Sequence, residues 1–278
     1  WTRRWDGAEH SVLIKQLYRA EDDLEFIKSV APYLRDERYI RLNGAPVLAV
    51  YLPQLLPDPH RTIEVWRNYC RAEGIGDLHL SCAYTRGNWD HAAYGFDSGI
   101  EFPPHNLSMD QNRTLEQQLH FFTPESCQVR DFSAAASEYL SRQYGRDNRG
   151  YRAVFTSWDN SPRKKKGGTI FLNGTPENYE WWLSQAIDKT EAAFPGEQSF
   201  VFINAWNEWA EGAHLEPDQR YGRGFLEATA RALNGTKLQG WTHVSLTSDY
   251  HYVEPKIIHR RGPKSPPFLT KEQFEQTK

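Results

Sequence analysis

Glu208 and Glu211 stand three residues apart in the run Asn204-Ala205-Trp206-Asn207-Glu208-Trp209-Ala210-Glu211-Gly212, among indoles and amides. A carboxylate is costly to bury unless it is paired, protonated or used. Two of them at this spacing suit chemistry at a glycosidic bond: one takes a proton, the other gives one, and flat apolar rings receive pyranose units. On a first helical turn, residues i and i+3 share a face at about 5–6 Å between Cβ atoms. Like charges that close drive the two pKa values apart, so one acid stays protonated near neutral pH. The bland alternative is a solvated helix start, where acids favour the dipole. Placement at a strand end argues against it. Phe200-Val201-Phe202-Ile203, after the Pro195-Gly196 turn, reads as a buried strand that delivers the acids.

Four more strands are predicted upstream. Pro46 to Tyr51 is continuously apolar and follows an Asn43-Gly44 turn; Leu78 to Tyr84 and Tyr151 to Thr156 also read as strands, and Gly95 to Phe102 is weaker. Helical spacing is read after Asp22 or Asp23, from Thr62 to Ala72, from the Thr175-Pro176 start, and from Gln219 to Leu233, and Phe132 to Arg142 reads as a helix or extended turn. Residues 105–130 read as polar loop. Strands that are apolar throughout and alternate with helices indicate a parallel sheet covered on both faces. Polar and aromatic residues recur just past each strand: Tyr51, Tyr84, Glu101, Trp158 with Asp159, and Asn207 with Glu208. That recurrence is expected at the C-terminal face of a (β/α)8 TIM-type barrel, whereas a doubly wound sheet concentrates its site at one switch point. Five strands are fewer than eight, so the expectation is an incomplete barrel over residues 1–234 whose first strands precede Trp1. Residues 235–278 are expected to form a loosely packed or disordered tail.

Composition excludes more than it selects. With 278 residues, net charge −3 and 25% charged residues, no global field calls for nucleic acid or an anionic membrane. The basic run Arg163-Lys164-Lys165-Lys166 reads as a solvated loop, since no stacking platform flanks it. No apolar run approaches the roughly 20 residues of a membrane span. Cys70, Cys82 and Cys127 form no C-x-x-C pair, and the first two read as small core residues. No metal-ligand spacing and no cofactor loop is present. The absence of a disulfide framework suits a reducing compartment, and a cytoplasmic location is the expectation.

These residues together resemble the WbsX family, named as a glycosyltransferase of polysaccharide loci and also described as a glycoside hydrolase family 99-like domain. The resemblance is carried by Trp1-Thr2-Arg3-Arg4-Trp5-Asp6-Gly7, by Gly95-Phe96-Asp97 with Glu101-Phe102-Pro103-Pro104-His105, by Ser157-Trp158-Asp159-Asn160 with Arg163, and by Asn207 to Gly212 with Glu216-Pro217. It implies a (β/α)8 barrel and, by likeness to the α-mannosidases and α-mannanases of family 99, a pair of catalytic acids. Glu208 would deprotonate the sugar 2-hydroxyl for attack on the anomeric carbon. Glu211 would protonate the leaving oxygen and then activate water, with net retention. Ala210 departs from that pattern, where family 99 usually has His.

Candidate substrate-binding residues are Trp5, Asp6, Tyr84, Glu101, Trp158, Asp159, Asn204, Trp206, Asn207 and Trp209. Each has a plainer reading. Trp158 and Asp159 also fit a packed indole and a turn acid, Glu101 a loop anchor, and Trp5 and Asp6 a tie for the chain start. His105 and His214 read as hydrogen-bonded spectators. The function predicted is a retaining glycosidase-like enzyme on an α-linked, mannose-type glycan, with an oligosaccharide or polysaccharide as partner. The alternatives are a surface-polysaccharide glycosyltransferase, although no D-x-D element is found, and a non-catalytic glycan-binding barrel. The chain alone is also open to being inactive.

Overall fold

The computed structural model describes residues 2–3, 8–15, 17–108, 127–164, 167–196 and 199–235. Its strands are β1 (Thr2–Arg3), β2 (Ala8–Val12), β3 (Arg41–Leu42), β4 (Ala45–Val50), β5 (His79–Tyr84), β6 (Ser98–Glu101), β7 (Cys127–Asp131), β8 (Gly150–Phe155), β9 (Trp158–Asp159), β10 (Gly168–Leu172), β11 (Val201–Asn204), β12 (Asn207–Glu208) and β13 (Ala213–His214). The helices are α1 (Asp22–Arg35), α2 (Pro59–Ala72), α3 (Phe132–Ser141), α4 (Pro176–Ala193) and α5 (Gly224–Leu233).

The main sheet has six strands in the order β11-β8-β6-β5-β4-β3. Its five strands from β4 to β11 run parallel, each beside the next in the winding. They are the five read from the sequence. The sixth, β3, pairs antiparallel with β4 through the Asn43-Gly44 turn, where both residues take positive φ, 50° and 85°. Those signs are what a two-residue hairpin requires and Asn-Gly supplies. The result is a mixed α/β fold with a sheet curled as a half-barrel. A closed eight-stranded barrel is not formed among the described residues.

Helix ends follow local chemistry. Thr175 caps α4 by accepting from Asn178 N at 3.3 Å, with Pro176 at the first helical position. Asp58 caps α2 by accepting from Arg61 N at 3.0 Å, so that helix begins at Pro59, earlier than the periodicity suggests. No side chain caps α1, which starts after Glu21 and carries Pro32 inside it.

Two apolar layers pack on the sheet. Ile27 and Leu34 of α1 and Ile63, Trp66 and Cys70 of α2 cover Leu80 and Cys82 of β5. Beneath the later strands, Phe132 of α3 and Trp182 of α4 meet Phe155 of β8 edge-on, with centroids 5.1 Å from Phe155 in both cases. Such offset contacts add to the area-driven stabilisation of a buried aromatic cluster. This second layer anchors the strands that carry the acid pair.

A second, three-stranded sheet has the order β7-β10-β9. The β10 strand runs parallel to β7 and antiparallel to β9, with Phe171 opposite Trp158 and Ile170 opposite Asp159. The sequence reading assigned no element to Gly168–Leu172, and β7 corrects its reading of residues 127–130 as polar loop. The first turn of α5 also differs: a helix expected from Gln219 begins at Gly224, because Asp218 and Gly222 form a backbone bridge first. Of the tail expected from 235 onward, only Gly235 lies among the described residues.

Candidate active site

The acid pair stands on a small hairpin rather than on the first turn of an α-helix. β12 pairs antiparallel with β13, Glu208 opposite Ala213 and Asn207 opposite His214. Between them Trp209–Glu211 form a single 3-10 turn that ends at Gly212 with φ 65°. A left-handed residue closes the turn, and glycine adopts it without steric cost. Space demands glycine too, since a Cβ there would lie 2.9 Å from Asp159 N.

Three contacts seat this hairpin on the ends of β8 and β9. His214 N donates to Thr156 Oγ1 at 3.0 Å. Ser157 Oγ donates to the Gly212 carbonyl. The Gly212 backbone meets the backbone of Asp159. Gly212→Ala is therefore expected to cost about 1–3 kcal/mol of stability, by forcing a side chain into a left-handed, crowded position. Denaturant unfolding measures it, and a change below the error of the midpoint would show that the hairpin relaxes freely.

Arg163 ties the two acids together. Its Nη1 lies 3.1 Å from Glu208 Oε1 and 3.2 Å from Glu211 Oε1. Both carboxylate oxygens therefore fall within reach of one guanidinium nitrogen, and they are separated by no more than the two contact distances combined. Arg163 ends a short 3-10 turn, Ser161–Arg163. Asn160, just before it, accepts from Thr169 N at 2.7 Å through Oδ1 and donates its own N–H to the Thr169 carbonyl at 3.2 Å. The small sheet thus sets where the guanidinium stands.

The two acids differ in surroundings. The Glu208 side chain is 42% exposed and that of Glu211 is 22% exposed. Burial raises the Glu211 pKa above the ordinary carboxylate value, Arg163 opposes the rise, and the neighbouring Glu208 charge adds to it. Desolvation and a like charge both disfavour the ionised form.

The remaining sequence-predicted residues fall into distinct positions. Asn207 and Trp206 are exposed on the hairpin segment. Trp209 is half exposed, stacks on His214 at 3.9 Å and donates from Nε1 to Glu216 Oε2 at 2.6 Å. Asn204 ends β11 and donates to the Pro103 carbonyl at 2.8 Å. Asp159 Oδ1 accepts from Ser161 N at 2.9 Å and Oγ at 2.6 Å, so the carboxylate shapes the turn that precedes Arg163.

Three others are packed. Trp158 is buried, edge-on to Phe155. Tyr84 lies buried across Gly99, where a Cβ would sit 1.9 Å from its ring, and its hydroxyl is 2.8 Å from His91 Nδ1. Glu101 is buried, accepting from Ala153 N and from the Tyr144 hydroxyl, each at 3.0 Å, with Arg142 Nη1 at 3.6 Å. Burial pushes the Glu101 carboxyl upward while these donors pull it back. Those contacts suit an anchor between β6 and β8. Trp5 and Asp6 lie outside the described residues.

On the concave face, a cavity of about 230 Å³ is lined by Tyr51, Ala83, Glu101, Phe102, Phe202, Asn204 and their neighbours. Neither acid is in its wall. Asn204 is, and the segment carrying both acids starts there. Among the described residues no group of three His, Cys, Asp or Glu could hold a metal, and no helix is long and apolar enough to cross a membrane.

Arg163 and Glu216 are the residues of this site whose side-chain roles the sequence reading did not assign. Both stood in motifs already singled out. Their partners lie 45 and 7 residues away.

Comparison with known proteins gives the chain relatives. The family model described as "Glycosyltransferase WbsX" matches residues 1–229. Two curated relatives from two strains of Xanthomonas campestris pv. campestris, each described as "Uncharacterized protein WxcX", are 45% identical over 236 residues, which is 84% of this chain and 33% of each relative. The chain thus spans about a third of the length of the curated relatives it matches. Among solved structures, a "Glycoside hydrolase-like protein" aligns with a TM-score of 0.52 at 16% identity, over 78% of this chain and 61% of that one, a likeness of fold. The "Structure of the GH99 endo-alpha-mannosidase from Bacteroides thetaiotaomicron" aligns with a TM-score of 0.47 at 14% identity, over 78% of this chain and 63% of that one.

Proposed function

The chain belongs to the WbsX glycosyltransferase family, and from that premise we propose that it carries the acid pair of a carbohydrate-active enzyme working on an α-linked, mannose-type glycan. One observation supports this reading above the rest: Glu208 and Glu211 converge on a single guanidinium nitrogen at 3.1 and 3.2 Å. Two carboxylates held that close, in unequal surroundings, can divide acid and base duties.

Glu211, the more buried acid, keeps its proton to higher pH and gives it to the leaving oxygen. Glu208, more open to solvent, takes the proton of the sugar 2-hydroxyl. The freed oxygen attacks the anomeric carbon as the bond to the leaving group breaks. Water then attacks the anomeric carbon and opens the ring so formed, its proton passing to the Glu211 carboxylate while Glu208 returns the proton it took to the 2-oxygen. Two inversions at one carbon give retention. In this reading the five parallel strands are the arc of a (β/α)8 barrel on which the site is built.

The family's description favours a second reading, transfer to an acceptor hydroxyl in place of water. Incubating the full-length protein with α-mannan fragments, with and without sugar nucleotides, separates the two by mass spectrometry of the products. Cleavage without nucleotide is the expected result. Elongation only with nucleotide would establish the transferase, and binding with neither product would leave a glycan-binding module.

A further inference from the structure

The Trp209 indole is 49% exposed, yet its orientation is held at two points. One face stacks on the His214 imidazole, with centroids 3.9 Å apart and planes 17° apart. The indole N–H donates to Glu216 Oε2 at 2.6 Å. His214 is itself held through Nε2 by Asp218 Oδ2 at 2.9 Å, and Asp218 also accepts from Tyr221 N. With one face of the indole covered by His214, the face opposite is the one left for a ligand to cover. Trp206, three residues earlier, is 54% exposed, and among the described residues no ring contact or side-chain hydrogen bond fixes it.

Holding a large side chain flat sacrifices its rotamer freedom, and leaving one face bare forgoes apolar burial. The first loss is already incurred before a ligand arrives, and the second is recovered when a flat apolar surface lands on the ring. Trp209 follows Glu208 directly and shares its turn with Glu211. A pyranose presents a flat apolar surface of that kind in its C–H face.

We propose that the outer face of Trp209 is a pyranose-binding subsite beside the acid pair, and that Glu216 and the His214–Asp218 pair are its positioning residues. The proposal rests on the carbohydrate reading of Glu208 and Glu211 and adds to it the residue that seats the sugar. Glu216 acts through acceptance of the indole N–H, a role that a glutamine oxygen also fills.

The test uses the full-length protein in the Glu211→Gln background, titrated calorimetrically with α-mannan oligosaccharides. Trp209→Ala should weaken binding about tenfold, from loss of the stacking surface. Trp209→Phe, which keeps a flat ring in a folded turn, should fall between the two. Glu216→Gln should bind like its parent, and Glu216→Ala should weaken binding about threefold. In the active protein, Trp209→Ala and Glu216→Ala should raise KM more than they lower kcat.

Unchanged affinity in folded Trp209→Ala, with turnover still dependent on Glu211, would overturn the subsite and leave the acid-pair reading standing. Equal losses in Glu216→Gln and Glu216→Ala would overturn the positioning role of Glu216. Neither turnover nor binding in the unaltered protein would overturn the carbohydrate reading, and the subsite with it.

Discussion

Glu211→Gln in the full-length protein is expected to lower turnover by about 10²–10⁴-fold while glycan binding survives, the loss typical of removing one general acid–base group. Glutamine fills the same space and still accepts from Arg163, but it cannot give up or take a proton. The substitution should also reveal what the fold sacrifices for this residue. Burial raises the folded-state pKa of Glu211 above its ordinary value. The native state therefore holds this proton more tightly than the unfolded chain does, and stability declines as pH rises from the ordinary carboxylate range through the raised value. Glutamine removes that decline. The variant should melt at a higher temperature than the parent at neutral pH and lose the advantage in acid, where both side chains are uncharged. Thermal melts at pH 4 and pH 7 read the difference, alongside single-turnover assays. Near-normal turnover would reject the acid role. A lower melting temperature at neutral pH would mean that the ion pair to Arg163 outweighs burial.

The parts of this molecule that could be read from sequence are those whose causes are local. Five strand segments became five parallel strands, with β8 buried throughout in the middle of the sheet and β11, expected as a buried strand, only half-buried at its edge. Thr175-Pro176 and Asn43-Gly44 state their own backbone geometry. Causes that lie far along the chain left weaker traces. The β10 strand is a short run, Gly168–Leu172, that follows a basic cluster, and only its pairing with β7 and β9 makes it a strand. Tyr84 looked like a strand-end aromatic; the empty side-chain position at Gly99, on the neighbouring strand, lets it lie flat and buried. Trp158 and Asp159 offered a platform and an acceptor equally well as a packed ring and a turn acid, and nothing within their own segment distinguishes these. The acids were expected on one helical face. A hairpin and a 3-10 turn bring them together instead, by a glycine whose conformation and crowding are visible only against Asp159.

Arg163 is the clearest case of meaning supplied from a distance, and its loss carries the second large expected effect. Within Arg163-Lys164-Lys165-Lys166 it reads as one more solvated cation. In the fold its Nη1 stands within 3.2 Å of both acids. Arg163→Met should lower turnover by about 100-fold, because carboxylates misplaced by even an ångström lose the near-attack geometry. A purely structural role would predict that much and no more. The pH profile goes further. The guanidinium restrains the rise of the Glu211 pKa, against burial and the charge of Glu208. Without it that pKa climbs, so the limb of the kcat profile set by loss of the Glu211 proton should move to higher pH. Arg163→Lys keeps the charge but replaces the planar fork with a compact ammonium on a flexible stem. It should restore the position of that limb more fully than the rate. A profile that falls in height in both variants without moving would show that Arg163 holds the turn in place and leaves the proton affinity of the acids to their burial alone.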